Sequence, residues 1–153
     1  MKRIVCILTS IIISVSVFCS CSGYRHSPEL LAKSINERLD IGGVLYSSVA
    51  SLGEEGYLSG DLTSQMFLSP IPEGTEVALV ILPSVKVTHE VGVFYSRDSF
   101  DRLLILEIVT ERLSLLKSYD AECESAIISR GGYVFYAFSP YASRLNSVVD
   151  GIF

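Results

Sequence analysis

Four apolar runs that favour β-structure stand out after residue 76, and they come in two pairs. The first pair is 77–82 with 89–95, and the second pair is 125–129 with 133–138. A short turn region joins the first pair, and Arg130-Gly131-Gly132 separates the second. Because a Gly-Gly pair suits the tight turn of a two-stranded connection, the pattern predicts two β-hairpins.

Helical spacing of apolar residues indicates three helices, at about 28–39, at about 98–118 and in the tail after Pro140. Pro28 suits the first position of its helix, and Asp98 places negative charge where the helix dipole favours it. The long second helix carries apolar side chains around a broad arc. An arc this broad predicts deep burial or a partner.

The remaining stretch, 44–76, is interrupted by glycines and prolines, so short helical pieces and loops are expected there. The resulting order of elements is α, ββ, α, ββ, α. Two hairpins separated by a helix favour an antiparallel sheet of about four strands, with the helices packed on one face. We therefore predict a single α+β domain over residues 28–153, a length sufficient to bury a core.

The first twenty residues have the composition of a signal peptide. Lys2 and Arg3 precede an apolar run over 4–18. Fifteen helical residues extend roughly 22 Å, which is short of the ~30 Å hydrocarbon core of a bilayer. We therefore expect residues 1–20 to be removed on export. The alternative is a short anchor that stays uncleaved.

A cysteine follows this segment in a context that resembles the lipobox of bacterial lipoproteins. In Phe18-Cys19-Ser20-Cys21, the small Ser20 precedes Cys21, whereas Cys19 follows a bulky residue. The resemblance implies that Cys21 is diacylated and becomes the new N-terminus, with 21–27 as a lipidated tether. The expected location is the extracytoplasmic face of the cell membrane, with the lipid as the membrane attachment.

The net charge limits the binding partners that are expected, and the cysteine content limits the disulfide bonds. The sequence has a net charge of −5, and removal of Lys2 and Arg3 leaves ten basic against seventeen acidic residues, or −7. This balance argues against nucleic acid, whose phosphates require a basic face. After processing and lipidation only Cys123 remains, so a disulfide framework is excluded. Glu122 and Glu124 flank it and would raise its thiol pKa, which favours a structural cysteine over a reactive one.

Candidate chemistry is sparse, and no catalytic, metal-binding or cofactor-binding residue is predicted. His26 falls in the tether, and His89 and Glu90 are adjacent on a strand, where neighbouring side chains point to opposite faces. Ser114 and Lys117 have the Ser-x-x-Lys spacing, but the companion motifs of penicillin-binding enzymes are missing. The remaining groups favour ordinary structural roles: paired carboxylates on the surface, and the aromatics Tyr133, Phe135, Tyr136 and Phe138 in a core rather than a ligand groove.

Several residues of the chain together resemble a known family. They are the strand His89–Phe94, Arg112 and Tyr119 in and after the long helix, Gly132-Tyr133-Val134, and the terminal helix ending at Phe153. On these residues the chain resembles the small lipoproteins of Gram-positive bacteria known as the domain of unknown function 4358 family. The resemblance extends from about Leu30 onward and implies no enzymatic activity, since the family has none assigned.

The leading functional hypothesis is a non-enzymatic binding or interaction module at the cell envelope, with a protein partner at the cell surface. Two alternatives stay open. One is an accessory subunit of a membrane complex that docks through the apolar helix 100–116, which an exposed apolar patch would favour. The other is a small cell-envelope hydrolase that uses His89 beside a serine and an acid.

Overall fold

A five-stranded antiparallel sheet forms the centre of the protein in the computed structural model, which describes residues 25–83 and 88–153. The signal peptide and the lipidation of Cys21 lie outside these residues and stay predictions. The strands are β1 (Val44–Ser47), β2 (Glu76–Leu82), β3 (His89–Tyr95), β4 (Glu124–Arg130) and β5 (Tyr133–Ser139). Their order across the sheet is β1-β2-β3-β5-β4.

Within residues 25–83 and 88–153, four α-helices and one 3₁₀ turn surround the sheet. They are α1 (Pro28–Leu39), α2 (Gly60–Phe67), α3 (Ser99–Tyr119), the 3₁₀ turn Ala142–Arg144 and α4 (Leu145–Asp150). Pro28 occupies the first turn of α1, as predicted. At the start of α3, the Asp98 side chain accepts hydrogen bonds from the backbone N–H groups of Phe100 and Asp101, which would otherwise be unpaired.

The helices cover both faces of the sheet and create two cores. On one face, α1 and α4 pack against alternate strand residues such as Val80, Val91 and Phe135. On the other face, α2 and α3 pack against the intervening residues, among them Leu79 and Tyr136. The two sets alternate along each strand because successive side chains in a strand point to opposite faces.

The α+β class, the antiparallel sheet and the predicted order of elements are confirmed. Two details differ. The segment 44–76 contributes a fifth strand, β1, in addition to the expected helical piece, and the helices lie on both faces rather than on one. The reason is visible in the central strands, since β5 is buried at all seven positions. A continuous apolar strand needs cover on both sides.

Candidate functional site

A buried ion pair lies between the sheet and its α2–α3 layer. Glu90 projects from β3 with only 1% of its side chain exposed, and Arg112 approaches it from α3 with 17% exposed. Arg112 Nε donates to Glu90 Oε1 at 2.9 Å, and Nη2 donates to Oε2 at 3.0 Å. This two-pronged geometry is the strongest way for a guanidinium to hold a carboxylate.

Two further groups complete the ion pair and connect it to other elements. Arg112 Nη1 donates to the backbone carbonyl of Met66 in α2 at 3.2 Å, and the Tyr136 hydroxyl of β5 donates to Glu90 Oε1 at 3.2 Å. Burial, followed by the charge of Glu90, raises the pKa of Tyr136 well above its usual value. The hydrogen bond to Glu90 raises the pKa of Arg112. The network therefore stays ionised at Arg112 and protonated at Tyr136.

Aromatic rings pack around the buried side of this network, while the Arg112 side chain stays partly exposed at a cleft. The ring of Phe67 meets those of Phe94 and Tyr136 edge-on, with centroids 5.3 Å and 6.0 Å away. The Arg112 guanidinium lies 5.9 Å from the centroid of the Phe67 ring. Both oxygens of Glu90 are occupied by donors of the same chain, so the arrangement fixes α2 and α3 onto the sheet. The network thereby supports the exposed surface that α2 and α3 form.

Among the clefts on that surface, two small ones are neighbours that share Glu111. A cleft of about 160 Å³ is lined by Met66, Phe67, Leu68, Glu111, Arg112 and Leu115. A neighbouring cleft of about 300 Å³ is lined by Ser69, Pro70, Leu104, Glu107, Ile108 and Glu111. We call the outer residues of these clefts, Met66, Leu68, Leu104, Glu107, Glu111 and Leu115, the α2–α3 face. It combines apolar side chains with two exposed carboxylates.

Leu68 is the most unusual residue of the α2–α3 face. It caps the C-terminal end of α2 with a φ of 53°, in the left-handed region that glycine and asparagine normally occupy. Its side chain is also 79% exposed. A branched apolar residue is thus held out in solvent in a strained conformation.

A second polar site lies where the described chain begins. Arg25 forms an ion pair with Glu76, and its guanidinium carbon lies 4.0 Å from the centroid of the Tyr95 ring. The next residue, His26, accepts a hydrogen bond from the Tyr133 hydroxyl through its backbone carbonyl at 2.5 Å. The hydrogen bond to Glu76 raises the pKa of Arg25. The last residues of the predicted tether therefore lie against the domain.

The structure places the other sequence candidates apart from one another. His89 lies on the face of β3 opposite to Glu90, as predicted from strand geometry, and the clefts described here are lined by other residues. Ser114 and Lys117 are exposed on α3, where the Ser114 hydroxyl donates to the carbonyl of Thr110. Neither is engaged with a catalytic partner in this arrangement.

Cys123 and the aromatic residues of β5 have the structural roles predicted for them. Cys123 is buried, and burial, followed by the charge of Asp120, raises its thiol pKa. Four aromatic residues of β5 are buried in the two cores; they are Tyr133, Phe135, Tyr136 and Phe138.

The ion pair itself was not predicted from the sequence. In the sequence, Glu90 stands out as the neighbour of His89 and as part of the strand His89–Phe94 that carries the family resemblance, to which Arg112 also contributes. The available signal was a single acid inside an otherwise apolar strand, together with an arginine inside an apolar helix. Charged residues in such positions are rarely buried unless they are paired.

Within residues 25–83 and 88–153, no group of three or more His, Cys, Asp or Glu side chains is placed to hold a metal ion. No helix among these residues is both long and apolar enough to cross a membrane. The chain matches no family model, no curated protein and no solved structure. Its resemblance to the domain of unknown function 4358 family therefore stays a prediction.

Proposed function

We propose that the protein is a lipid-anchored extracytoplasmic binding module, held at the cell membrane through Cys21 and without an enzymatic activity of its own. The N-terminal sequence supports the anchor, since a short apolar segment leads to Ser20-Cys21. The domain begins close behind it, because Arg25 already lies against Tyr95 and Glu76. A lipid at Cys21 would therefore hold the folded domain near the membrane surface.

The observation that carries the binding role is the exposed, left-handed Leu68 on the α2–α3 face. For a residue with a Cβ, the left-handed conformation costs roughly 1–2 kcal/mol. Because the Leu68 side chain is exposed, the isolated domain gains no hydrophobic burial that would offset this conformational cost. A partner that covers Leu68 would supply that compensation, so we assign this residue to a binding surface.

The chemistry of the partner follows from the residues around Leu68. Apolar contacts are offered by Met66, Leu104 and Leu115, while Glu107 and Glu111 add negative charge. Electrostatic complementarity then favours a protein segment that presents apolar side chains next to Lys or Arg. The buried Glu90–Arg112 pair keeps α2 and α3 fixed relative to each other, which preorganises the surface for binding.

The alternative of an accessory subunit that docks through helix 100–116 has support from α3. Phe100 and Leu103 in its first turns are 65% and 63% exposed. The hydrolase alternative has weaker support, because His89 and Glu90 point to opposite faces and Glu90 is fully engaged by Arg112 and Tyr136.

The anchor is tested by intact-mass and membrane-fraction analysis of the full chain beside Cys21→Ala, with Cys19→Ala as the matched control. We expect a diacylglyceryl mass increase and membrane association in the native chain and in Cys19→Ala. Both should be lost in Cys21→Ala. An unshifted soluble product of the native chain would contradict the lipoprotein proposal.

The binding surface is tested with a photo-crosslinking amino acid at position 68 in cells that express the full chain. The control carries the same amino acid at position 30, because Leu30 is similarly exposed but lies on α1. We expect adducts of defined mass from position 68 only. Equal crosslinking at both positions, or at neither, would contradict this assignment.

A further inference from the structure

The contacts of Arg25 and His26 define one end of the sheet as the point where the N-terminal segment joins the domain. Their partners are Glu76, Tyr95 and Tyr133. These three residues are neighbours across β2, β3 and β5, since Glu76 pairs with Tyr95 and Tyr95 pairs with Tyr133. We call this end of the sheet the anchor end.

The first turn of α3 lies at the anchor end as well. A polar cleft of about 370 Å³ has Arg25 and Glu76 on one side and Asp98 and Asp101 on the other. Asp98 is the residue that caps α3, so the helix starts directly beside the site that holds Arg25. The N-terminal segment and the start of α3 therefore meet at the same end of the sheet.

The distance from the predicted lipid to the anchor end is short. Four residue steps separate Cys21 from Arg25, and a fully extended chain covers at most ~14 Å in four steps. A domain of this size has a radius of gyration of about 14 Å, so its full width is much greater than this reach. With Cys21 lipidated, the anchor end lies near the bilayer and the opposite end of the sheet does not reach it.

The anchor end also has the side chains that a bilayer surface favours. Phe100 and Leu103 are three residues apart on α3, share one side of the helix, and are 65% and 63% exposed. Arg97 is exposed immediately before them. Of the acids around this cleft, Asp98 caps α3, Asp101 accepts a hydrogen bond from the Ser96 hydroxyl and Glu76 pairs with Arg25, while Glu73 is exposed to solvent. Apolar side chains beside an arginine are typical of segments that lie in the membrane interface.

We propose that the start of α3 rests on the bilayer, with Phe100 and Leu103 at the boundary of headgroups and acyl chains and Arg97 at the level of the phosphates. The proposal depends on the lipid at Cys21 and adds the orientation of the domain. It has a consequence for the α2–α3 face. Its Leu104 end lies next to the bilayer contact, whereas Leu115 is fifteen residues beyond Phe100, about 22 Å further along the helix, so the Leu68 cleft is held away from the membrane.

The orientation can be measured with single tryptophans, because the sequence contains none. Full-chain Phe100→Trp and Leu103→Trp are purified in lipidated form and placed in vesicles of phosphatidylcholine and phosphatidylglycerol with brominated acyl chains. Tyr119→Trp is the matched control, since Tyr119 is 67% exposed at the other end of α3. We expect blue-shifted emission and several-fold stronger quenching at positions 100 and 103 than at 119.

The outcomes separate this orientation from the anchor itself. Intact mass is measured first on the same preparations, and absence of the diacylglyceryl increase would overturn both proposals. A lipidated protein with equal quenching at positions 100 and 119 would overturn the orientation and leave the anchor standing. A photo-crosslinking amino acid at position 100 that forms adducts of defined protein mass in native membranes, together with no lipid quenching at Phe100→Trp in vesicles, would assign Phe100 to a protein partner and overturn the lipid contact.

Discussion

Gly92 on β3 lies directly opposite Tyr136 on β5, and the tyrosine ring occupies the space that a side chain at position 92 would need. A Cβ built on Gly92 would lie 2.0 Å from Cε1 of Tyr136. The glycine thus makes room for the ring whose hydroxyl donates a hydrogen bond to Glu90. Two neighbouring positions of β3 thus serve the polar network: Glu90 supplies its carboxylate, and Gly92 makes room for the tyrosine ring.

Gly92→Ala is therefore expected to destabilise the domain. The ring is fully buried between Phe67 and Phe94, so it can move only by disturbing the core and its hydrogen bond to Glu90. Overpacking of this kind costs about 1–3 kcal/mol, measured as a loss in the free energy of unfolding by denaturant titration. Gly60→Ala is the control, because nothing lies within 4 Å of its added Cβ and it is the first residue of α2. Equal stability of the two variants would contradict the close contact.

Removal of the arginine from the ion pair is expected to cost more than removal of both charges. Arg112→Met leaves the Glu90 carboxylate buried without its cation. Breaking a buried ion pair in this way typically lowers the free energy of unfolding by about 3–5 kcal/mol. In Glu90→Gln with Arg112→Met the charge is absent, and the amide oxygen can still accept from Tyr136. We expect the double variant to be more stable than Arg112→Met alone.

A double-mutant cycle with both single variants gives the coupling energy between Glu90 and Arg112. Each free energy of unfolding is measured by denaturant titration with circular dichroism. Additive effects of the two substitutions would show that the pair contributes no coupling, contrary to the geometry of two hydrogen bonds at 2.9 Å and 3.0 Å.

Stability is expected to fall at alkaline pH because of Tyr136. Its pKa in the folded protein is raised well above the value of 10.0 for a free tyrosine, by burial and by the charge of Glu90. Folding therefore favours the protonated form. This contribution is complete below pH 10 and is lost as the pH rises from 10 toward the higher folded pKa. Tyr136→Phe should show a shallower alkaline decline than the native chain.

The Phe variant also loses a hydrogen bond to a charged group, so its stability at pH 7 should be lower by about 1.5–3 kcal/mol. The comparison therefore uses the slope of stability against pH rather than its absolute value. Tyr119→Phe, at an exposed position, should keep the native slope. Identical slopes for Tyr136→Phe and the native chain would rule out this origin of the alkaline decline.

Cys123 is expected to resist alkylation while the domain is folded. Its thiol is buried and its pKa is raised, so both access and thiolate population are low. Iodoacetamide labelling followed by peptide mass spectrometry should show little modification at Cys123 under native conditions and complete modification in denaturant. Rapid native labelling would instead identify it as a reactive thiol.

The strand and helix pattern was sufficient to predict the class of fold because its signals are local. The apolar runs, the Gly131-Gly132 turn and the negative charge of Asp98 at the start of its helix act within a few residues, and each is found in the structure. The expectation of helices on one face of the sheet was wrong, although the continuous apolar character of β5 indicates cover on both faces. The strand β1 was missed because four residues between glycines give a weak pattern, and its pairing with β2 is a long-range contact.

The candidate sites were harder to predict, because each depends on residues far apart in the sequence. The ion pair joins residue 90 to residue 112, and the second site brings Arg25 against residues 76 and 95. Spacing motifs cannot reveal such combinations, and the one exact motif present, Ser114-x-x-Lys117, lies on the exposed side of a helix. Leu68 has no sequence signal, since its left-handed backbone is set by the end of α2 and the turn that follows.

Leu68→Gly should separate stability from binding on the α2–α3 face. Glycine adopts the left-handed conformation without strain, and the leucine side chain is largely exposed, so its removal forfeits little burial. We expect the thermal midpoint to stay equal or rise. The free energy of unfolding should increase by at most about 1 kcal/mol. Crosslinking from a photo-reactive amino acid at the neighbouring Met66 should nevertheless be lost. Leu62→Gly is the contrasting variant: Leu62 is also exposed but lies within α2, so glycine there should lower stability by roughly 1 kcal/mol and leave crosslinking intact. A stable Leu68→Gly protein that still crosslinks as the native chain does would show that Leu68 is not part of the binding surface.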